Sequence, residues 1–152
     1  MRQFDMTGKA IQAEALARLI EQTSRAIHSR GHSDGLFPAQ WTALRYFAGA
    51  DPTRCSATDL AAYQGMAFGP VSRTVRTLIA KGLIAKSATR QGRLELIEVT
   101  AEGRALLAQD PMADVIEALK GLSPGDRQVL AQALETVMLR LQGADSEDGL
   151  TP

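Results

Sequence analysis

Arg73, Arg76, Lys81, Lys86, Arg90 and Arg93 all fall within residues 68–93, FGPVSRTVRTLIAKGLIAKSATRQGR, and no Asp or Glu falls among them. Arginine offers a planar fork of donors that fits guanine edges and phosphates, and the interleaved Ser72 and Thr77 add short hydroxyls. This is equipment for gripping a polyanion. The charge of the whole chain does not suggest it, because 17 basic and 17 acidic groups cancel over 152 residues. The distribution does: residues 1–59 carry a formal charge of +1, residues 60–94 +6 and residues 95–152 −7. Counterion release depends on nearby charge and not on the total, so such a segment can bind phosphates in a neutral protein. A solvated cationic face would have the same composition, and the charge count alone does not separate the two.

Other chemistry-bearing residues are sparse. The single cysteine, Cys55, rules out an internal disulfide and supplies too few thiolates for a structural zinc site. His28 and His32 have the i, i+4 spacing of helical metal ligands, but Gly31 interrupts the helix and no third ligand stands nearby. No nucleophile elbow, phosphate loop or metalloprotease pattern is present, so neither an enzyme nor a cofactor is expected. No apolar run approaches the roughly 18 to 20 residues of a membrane span, and MRQFDMTGKAIQ lacks the apolar core of a signal peptide. A cytoplasmic protein with no membrane contact is the expectation.

The elements that must position the basic residues can be read from periodicity. Ile11, Leu16, Leu19, Ile20 and Ile27 recur at helical spacing, and the glycines of SRGHSDG end that helix. A second helix follows Pro38 and runs through Trp41, Leu44 and Phe47 to Gly49. In SATDLAAYQG, Ser56 and Asp59 form a capping box that opens a short helix ending at Gly65. After the link MAF, Gly69-Pro70 begins another helix with proline at its first position, and Lys81-Gly82 stops it. Two short helices joined by a tight turn, the second basic, make a helix-turn-helix. In the second, Val71, Val75, Leu78 and Ile79 share the face that packs, while Arg73, Arg76 and Thr77 share the other, with Ser72 near the helix start.

The period then shortens to two. LIAKSA and RLELIEV read as strands around TRQGR, with Gly92 at the turn and Arg90 and Arg93 at the tip. Ile84, Leu94, Leu96 and Val99 are candidates for the inner face, and the adjacent Leu96 and Ile97 suggest a bulge. A hairpin with a cationic tip beside a basic helix is a winged helix, its tip suited to a minor groove or to phosphates.

LAAYQGMAFGPVSRTVRTLIAKGLIAK, followed by a hairpin and VTAEGRALL, resembles the MarR (multiple antibiotic resistance regulator) family of winged-helix transcription factors. Leu60-Ala61, Gly65, Ser72-Arg73, Leu78, Lys81-Gly82-Leu83 and Thr100-Ala101-Glu102-Gly103 occupy the places of the family pattern, and PAQWTALRYF resembles its preceding helix. Three departures stand out. Gln64 replaces a leucine before the turn glycine, Gly69-Pro70 stand where Ser or Thr is typical, and Gln91 takes the place of the wing aspartate that helps to hold the arginine at Arg93. The resemblance implies double-stranded DNA as partner, with Gly69, Pro70, Ser72, Arg73, Arg76, Thr77, Arg90 and Arg93 at the interface. It also implies a small aromatic ligand in a cleft near His28, Trp41, Arg45 and Tyr46, and raises thiol-redox sensing through Cys55, whose place before a helix could lower its pKa.

Beyond the wing, Thr100 caps a helix, Asp110-Pro111 kinks or breaks it, and Ser123-Pro124 opens a long final helix with a stripe of Leu130, Leu134, Val137, Met138 and Leu141. A small winged unit cannot bury both this stripe and that of the first helix, so self-association is expected. The resulting reading is a mainly α, α+β fold over residues 1–152. Residues 36–100 form the winged helix-turn-helix lobe, 8–32 and 101–143 a helical dimerisation region, and 144–152 a flexible tail. Its function would be that of a homodimeric, sequence-specific regulator, most simply a repressor, on a pseudo-palindromic operator. A winged helix serving only protein interaction, without DNA, is the competing reading.

Overall fold

The computed structural model describes residues 11–147, with side chains as far as residue 143. Its elements run α1 (Ala13–Arg30), α2 (Pro38–Gly49), a 3-10 turn (Pro52–Arg54), α3 (Ala57–Gln64), α4 (Phe68–Ala80), β1 (Ile84–Gln91), β2 (Leu94–Val99), α5 (Ala101–Leu107), α6 (Ala113–Lys120) and α7 (Pro124–Glu147). The fold is mainly helical with a two-stranded antiparallel wing, as expected.

The core lies entirely between residues 36 and 99. Trp41 and Leu44 of α2, Leu60 of α3, Leu78 of α4 and Ile84 of β1 are almost wholly buried, joined by Phe47, Val71, Val75, Ile97 and Val99. Helix α3 starts on the expected capping box: the Ser56 hydroxyl accepts from the Asp59 amide at 3.1 Å, and the Asp59 carboxylate accepts from the Ser56 amide at 3.2 Å. Two of the four orphan amide donors at the helix start are thereby satisfied. Helix α4 begins two residues earlier than a proline at its first position requires, at Phe68, which puts Pro70 at the third helical position. Proline is tolerated there for the reason it is tolerated at the first: the amides of the opening turn have no partner within the helix.

The wing departs from expectation more. β1 extends to Gln91, and its pairing with Leu94 leaves Gly92 and Arg93 as a two-residue turn, with Gly92 at φ +62°. The irregularity falls on β1, between Lys86 and Arg90, and not at Leu96-Ile97. Leu96 and Ile97 are both buried, because β2 is covered on one side by the lobe and pinned on its edge where the Ile97 amide donates to the Cys55 carbonyl at 2.7 Å. Leu94, expected inside, is 41% exposed since the hairpin has by then left the core.

The wing root is locked to α5. Thr100 accepts from the Gly103 amide at 3.1 Å and donates to the Gly82 carbonyl at 2.6 Å. A side chain at Gly103 would place its Cβ 2.1 Å from the Leu83 carbonyl oxygen, so only glycine fits. Asp110-Pro111 breaks the chain outright into α5 and α6. There Asp110 accepts from the Met112 amide and from Arg45 of α2, each at 2.8 Å, and Arg30 of α1 pairs with Asp114.

α1 and α6 contain no buried residue, and every described side chain of α7 is exposed. Residues 8–10 of the expected dimerisation region lie outside the described residues. Backbone helix continues to Glu147, four residues into the segment expected as a tail, and 148–152 lie outside the described residues.

Candidate nucleic-acid interface

Helix α4 is a two-faced rod. Val71, Val75 and Leu78 anchor it to the lobe, with Ile79 partly buried beside them. Burial of that stripe fixes the rotation of the helix, so Gly69, Pro70, Arg73 and Arg76 are exposed and Ser72 and Thr77 half-buried on the outer side. Neither Arg73 nor Arg76 has an acidic partner among the described residues. The Thr77 hydroxyl donates to the Arg73 carbonyl at 3.0 Å, so its proton is spent within the helix and only its acceptor side faces outward. Ala67 supplies no side-chain cap at the start of α4.

The wing brings two of its cations into a different state. Arg93 sits in the turn without an acidic partner among the described residues. Arg90 lies opposite Glu95 in the hairpin register and pairs with it at 3.2 Å, while Lys86 reaches the same carboxylate at 2.9 Å. The hydrogen bond from Lys86, aided by both positive charges, holds the Glu95 carboxyl below the usual carboxylate range. The acid-free stretch of sequence is therefore not acid-free in space, because folding the hairpin carries Glu95 back across it. All three wing charges are largely solvent-exposed, so these pairs are weak and can be exchanged for phosphate.

Between the start of α3, the outer side of α4 and the wing lies a cleft of about 410 Å³, whose lining includes Phe68, Ser72, Arg76, Lys86 and Arg93. The cleft joins the helix and the wing into one surface whose three cations, Arg76, Lys86 and Arg93, outnumber its one acid, Glu95. Lys86 and Phe68 are the members that sequence reasoning left out. Lys86 was hidden by its place on a strand, and Phe68 by its assignment to the link before the helix.

A model of the MarR family matches residues 34–94. The winged lobe is a MarR-family lobe. Structures of similar fold extend the likeness beyond it. A probable transcriptional regulator from Pseudomonas aeruginosa is 28% identical, with a TM-score of 0.59 over 83% of this chain and 96% of its own. Bordetella bronchiseptica BpsR, whose DNA binding is regulated by 6-hydroxynicotinic acid, is 25% identical, with a TM-score of 0.58 over 86% of this chain and 98% of its own. Staphylococcus aureus MepR, in a structure with DNA, shares the fold at 19% identity and a TM-score of 0.67, over 86% of this chain and 96% of its own. A search of curated proteins gives no match.

The residues proposed for a ligand in the MarR-like frame do not converge. Trp41 is fully buried in the lobe core, and its indole nitrogen has no hydrogen-bond partner among the described residues. Arg45 is turned to Asp110, and the Tyr46 hydroxyl donates to the Arg54 carbonyl at 2.8 Å while its ring meets Phe47 and Tyr63. His28 is exposed at the end of α1, edge-on to His32. Cys55 corrects the expectation of a lowered pKa. It is 5% exposed, and its thiol donates to the Asp51 carbonyl at 3.4 Å. Burial pushes the thiol pKa up, and Asp51 and Asp59 push it further. The loop before α3 thus surrounds Cys55 with carbonyls and carboxylates, which oppose the thiolate that oxidation chemistry needs. No helix among the described residues is long and apolar enough to cross a membrane.

Proposed function

We propose that the chain is a sequence-specific regulator of transcription that binds double-stranded DNA in the cytoplasm as a homodimer, and that it acts as a repressor on a pseudo-palindromic operator. The observation that carries the proposal is a set of three exposed cations free of acidic partners among the described residues: Arg73 and Arg76 midway along α4 and Arg93 in the wing turn, with Arg76 and Arg93 lining one cleft. Arg73 and Ser72 read base edges in the major groove, Arg76 and the acceptor side of Thr77 contact base or phosphate, and Arg90 and Arg93 hold the backbone or the adjacent minor groove. Gly69 and Pro70 let the helix start approach the duplex closely. The exposed apolar faces of α1, α6 and α7 support self-association, which sets two recognition helices about one DNA turn apart.

The regulated relative BpsR supports a small aromatic effector for this protein as well. The reading makes the protein a binder and not a catalyst. Enrichment of genomic fragments on the purified protein tests it. Recovery of a palindromic sequence, bound with an affinity that falls steeply with salt, is expected. A chain that stays monomeric at micromolar concentration and prefers no duplex refutes the proposal, and would favour a winged helix devoted to protein contacts.

A further inference from the structure

Phe68 is the first residue of α4 and is 54% exposed. Among the described residues the other exposed aromatic rings each have a ring partner: Phe37 meets His32, and Tyr63 meets Tyr46. Phe68 has none among the described residues. Its neighbours sharpen the point. Gly69 has open space where a Cβ would stand, Pro70 has no amide hydrogen, and Ala67 offers no cap. The opening turn of α4 therefore presents a ring, a bare backbone and a proline where a hydroxyl would otherwise clamp a phosphate. Ser72 and Arg76 follow Phe68 at i+4 and i+8, and all three line the cleft toward the wing.

We infer that Phe68 is a specificity-determining residue that reads the 5-methyl group of a thymine in the major groove. The inference rests on the proposed DNA-binding function. The N-terminal residues of a recognition helix are those that meet base edges, and a thymine methyl is the one apolar feature the major groove displays. An unclaimed ring at that position, with Arg76 on the same cleft to hold the duplex, has the chemistry to take it. Arginine and serine would read the hydrogen-bonding edges of neighbouring pairs, and Phe68 would add a preference that no donor or acceptor can express.

The test is a uracil scan of the duplex recovered by genomic enrichment, replacing one thymine, and its symmetry mate, at a time with deoxyuridine. Only the methyl is lost. Wild type should weaken about fourfold per methyl at one thymine in each half-site, the size expected for one buried CH₂ group. Phe68→Ala, which loses the contact in both half-sites, should bind the thymine duplex at least about fifteenfold more weakly and lose the thymine-to-uracil difference, while Phe68→Leu keeps part of it. Arg73→Ala should keep the uracil sensitivity, since the methyl contact is separate. A wild type indifferent to every uracil, or a Phe68→Ala variant that still discriminates thymine from uracil, overturns the inference while leaving DNA binding intact. Failure of wild type to bind any duplex overturns the function on which it rests. Should Phe68→Ala fail to fold by circular dichroism, Phe68→Leu and the wild-type scan decide the matter.

Discussion

The winged lobe and the helical arms carry comparable apolar content and meet opposite fates. In the lobe, Trp41, Leu44, Leu60, Leu78 and Ile84 close on one another and leave water. In the arms, Leu16, Leu19 and Ile20 of α1, Ile116 and Leu119 of α6, and Leu134, Val137 and Met138 of α7 all remain more than a third exposed. The lobe's stability is therefore internal to one chain. The arms leave their apolar faces in water within one chain, and the proposed function covers them with a second copy.

Substitutions in each region should separate the two. Leu44→Ala, which empties a fully buried site, should cost about 3 to 5 kcal/mol of lobe stability in urea melts, independent of protein concentration. A loss under about 1 kcal/mol would mean that the lobe core is not the closed unit described. Leu134→Glu should leave the lobe transition in place and weaken self-association by roughly 3 kcal/mol per dimer, about a hundredfold, in sedimentation equilibrium. If the variant associates like wild type, the α7 stripe is not the contact.

Smaller effects bear on the reader itself. Arg73→Ala should cost roughly 1 to 3 kcal/mol of operator binding and relax specificity at one position, whereas equal loss on all sequences would make Arg73 a phosphate contact. On the wing, Arg93→Ala should lower the salt slope of binding by about one unit. Arg90→Ala should change it less, because Glu95 already holds that guanidinium, and Glu95→Gln should strengthen binding by freeing it. Cys55 should respond least. Its raised pKa favours the neutral thiol in the fold, so the associated stability is complete below the unfolded thiol pKa and declines as pH rises through the folded value. Iodoacetamide should label the native protein slowly at pH 7.5, and rapid labelling would reopen the redox reading.

Much of the lobe was legible because its signals are local. The Ser56-Asp59 box, the Gly65 stop and the Val71-Val75-Leu78 stripe need only a few residues of chain to state their meaning. The wing was legible in kind but not in detail. Strand register is set by pairing across the hairpin, and a shift of one residue exchanges faces, so the bulge on β1 and the outward turn of Leu94 depended on contacts that no short window contains. Arg45 shows the same limit at longer range: its partner Asp110 is 65 residues away, and its ring-bearing neighbours Trp41 and Tyr46 were drawn to separate duties.

Taken by itself, the chain determined which helices form and in what order, that a basic helix and a cationic hairpin adjoin, and that its terminal helices carry apolar faces larger than one lobe can cover. Tertiary structure alone decided which cations are free. Among the described residues Arg73, Arg76 and Arg93 stand clear of any acid, and Arg90 and Lys86 share Glu95. The reason is physical: charge along a chain is counted by position, but electrostatic energy is counted by distance, and the hairpin turns the acid that follows the basic stretch into its neighbour.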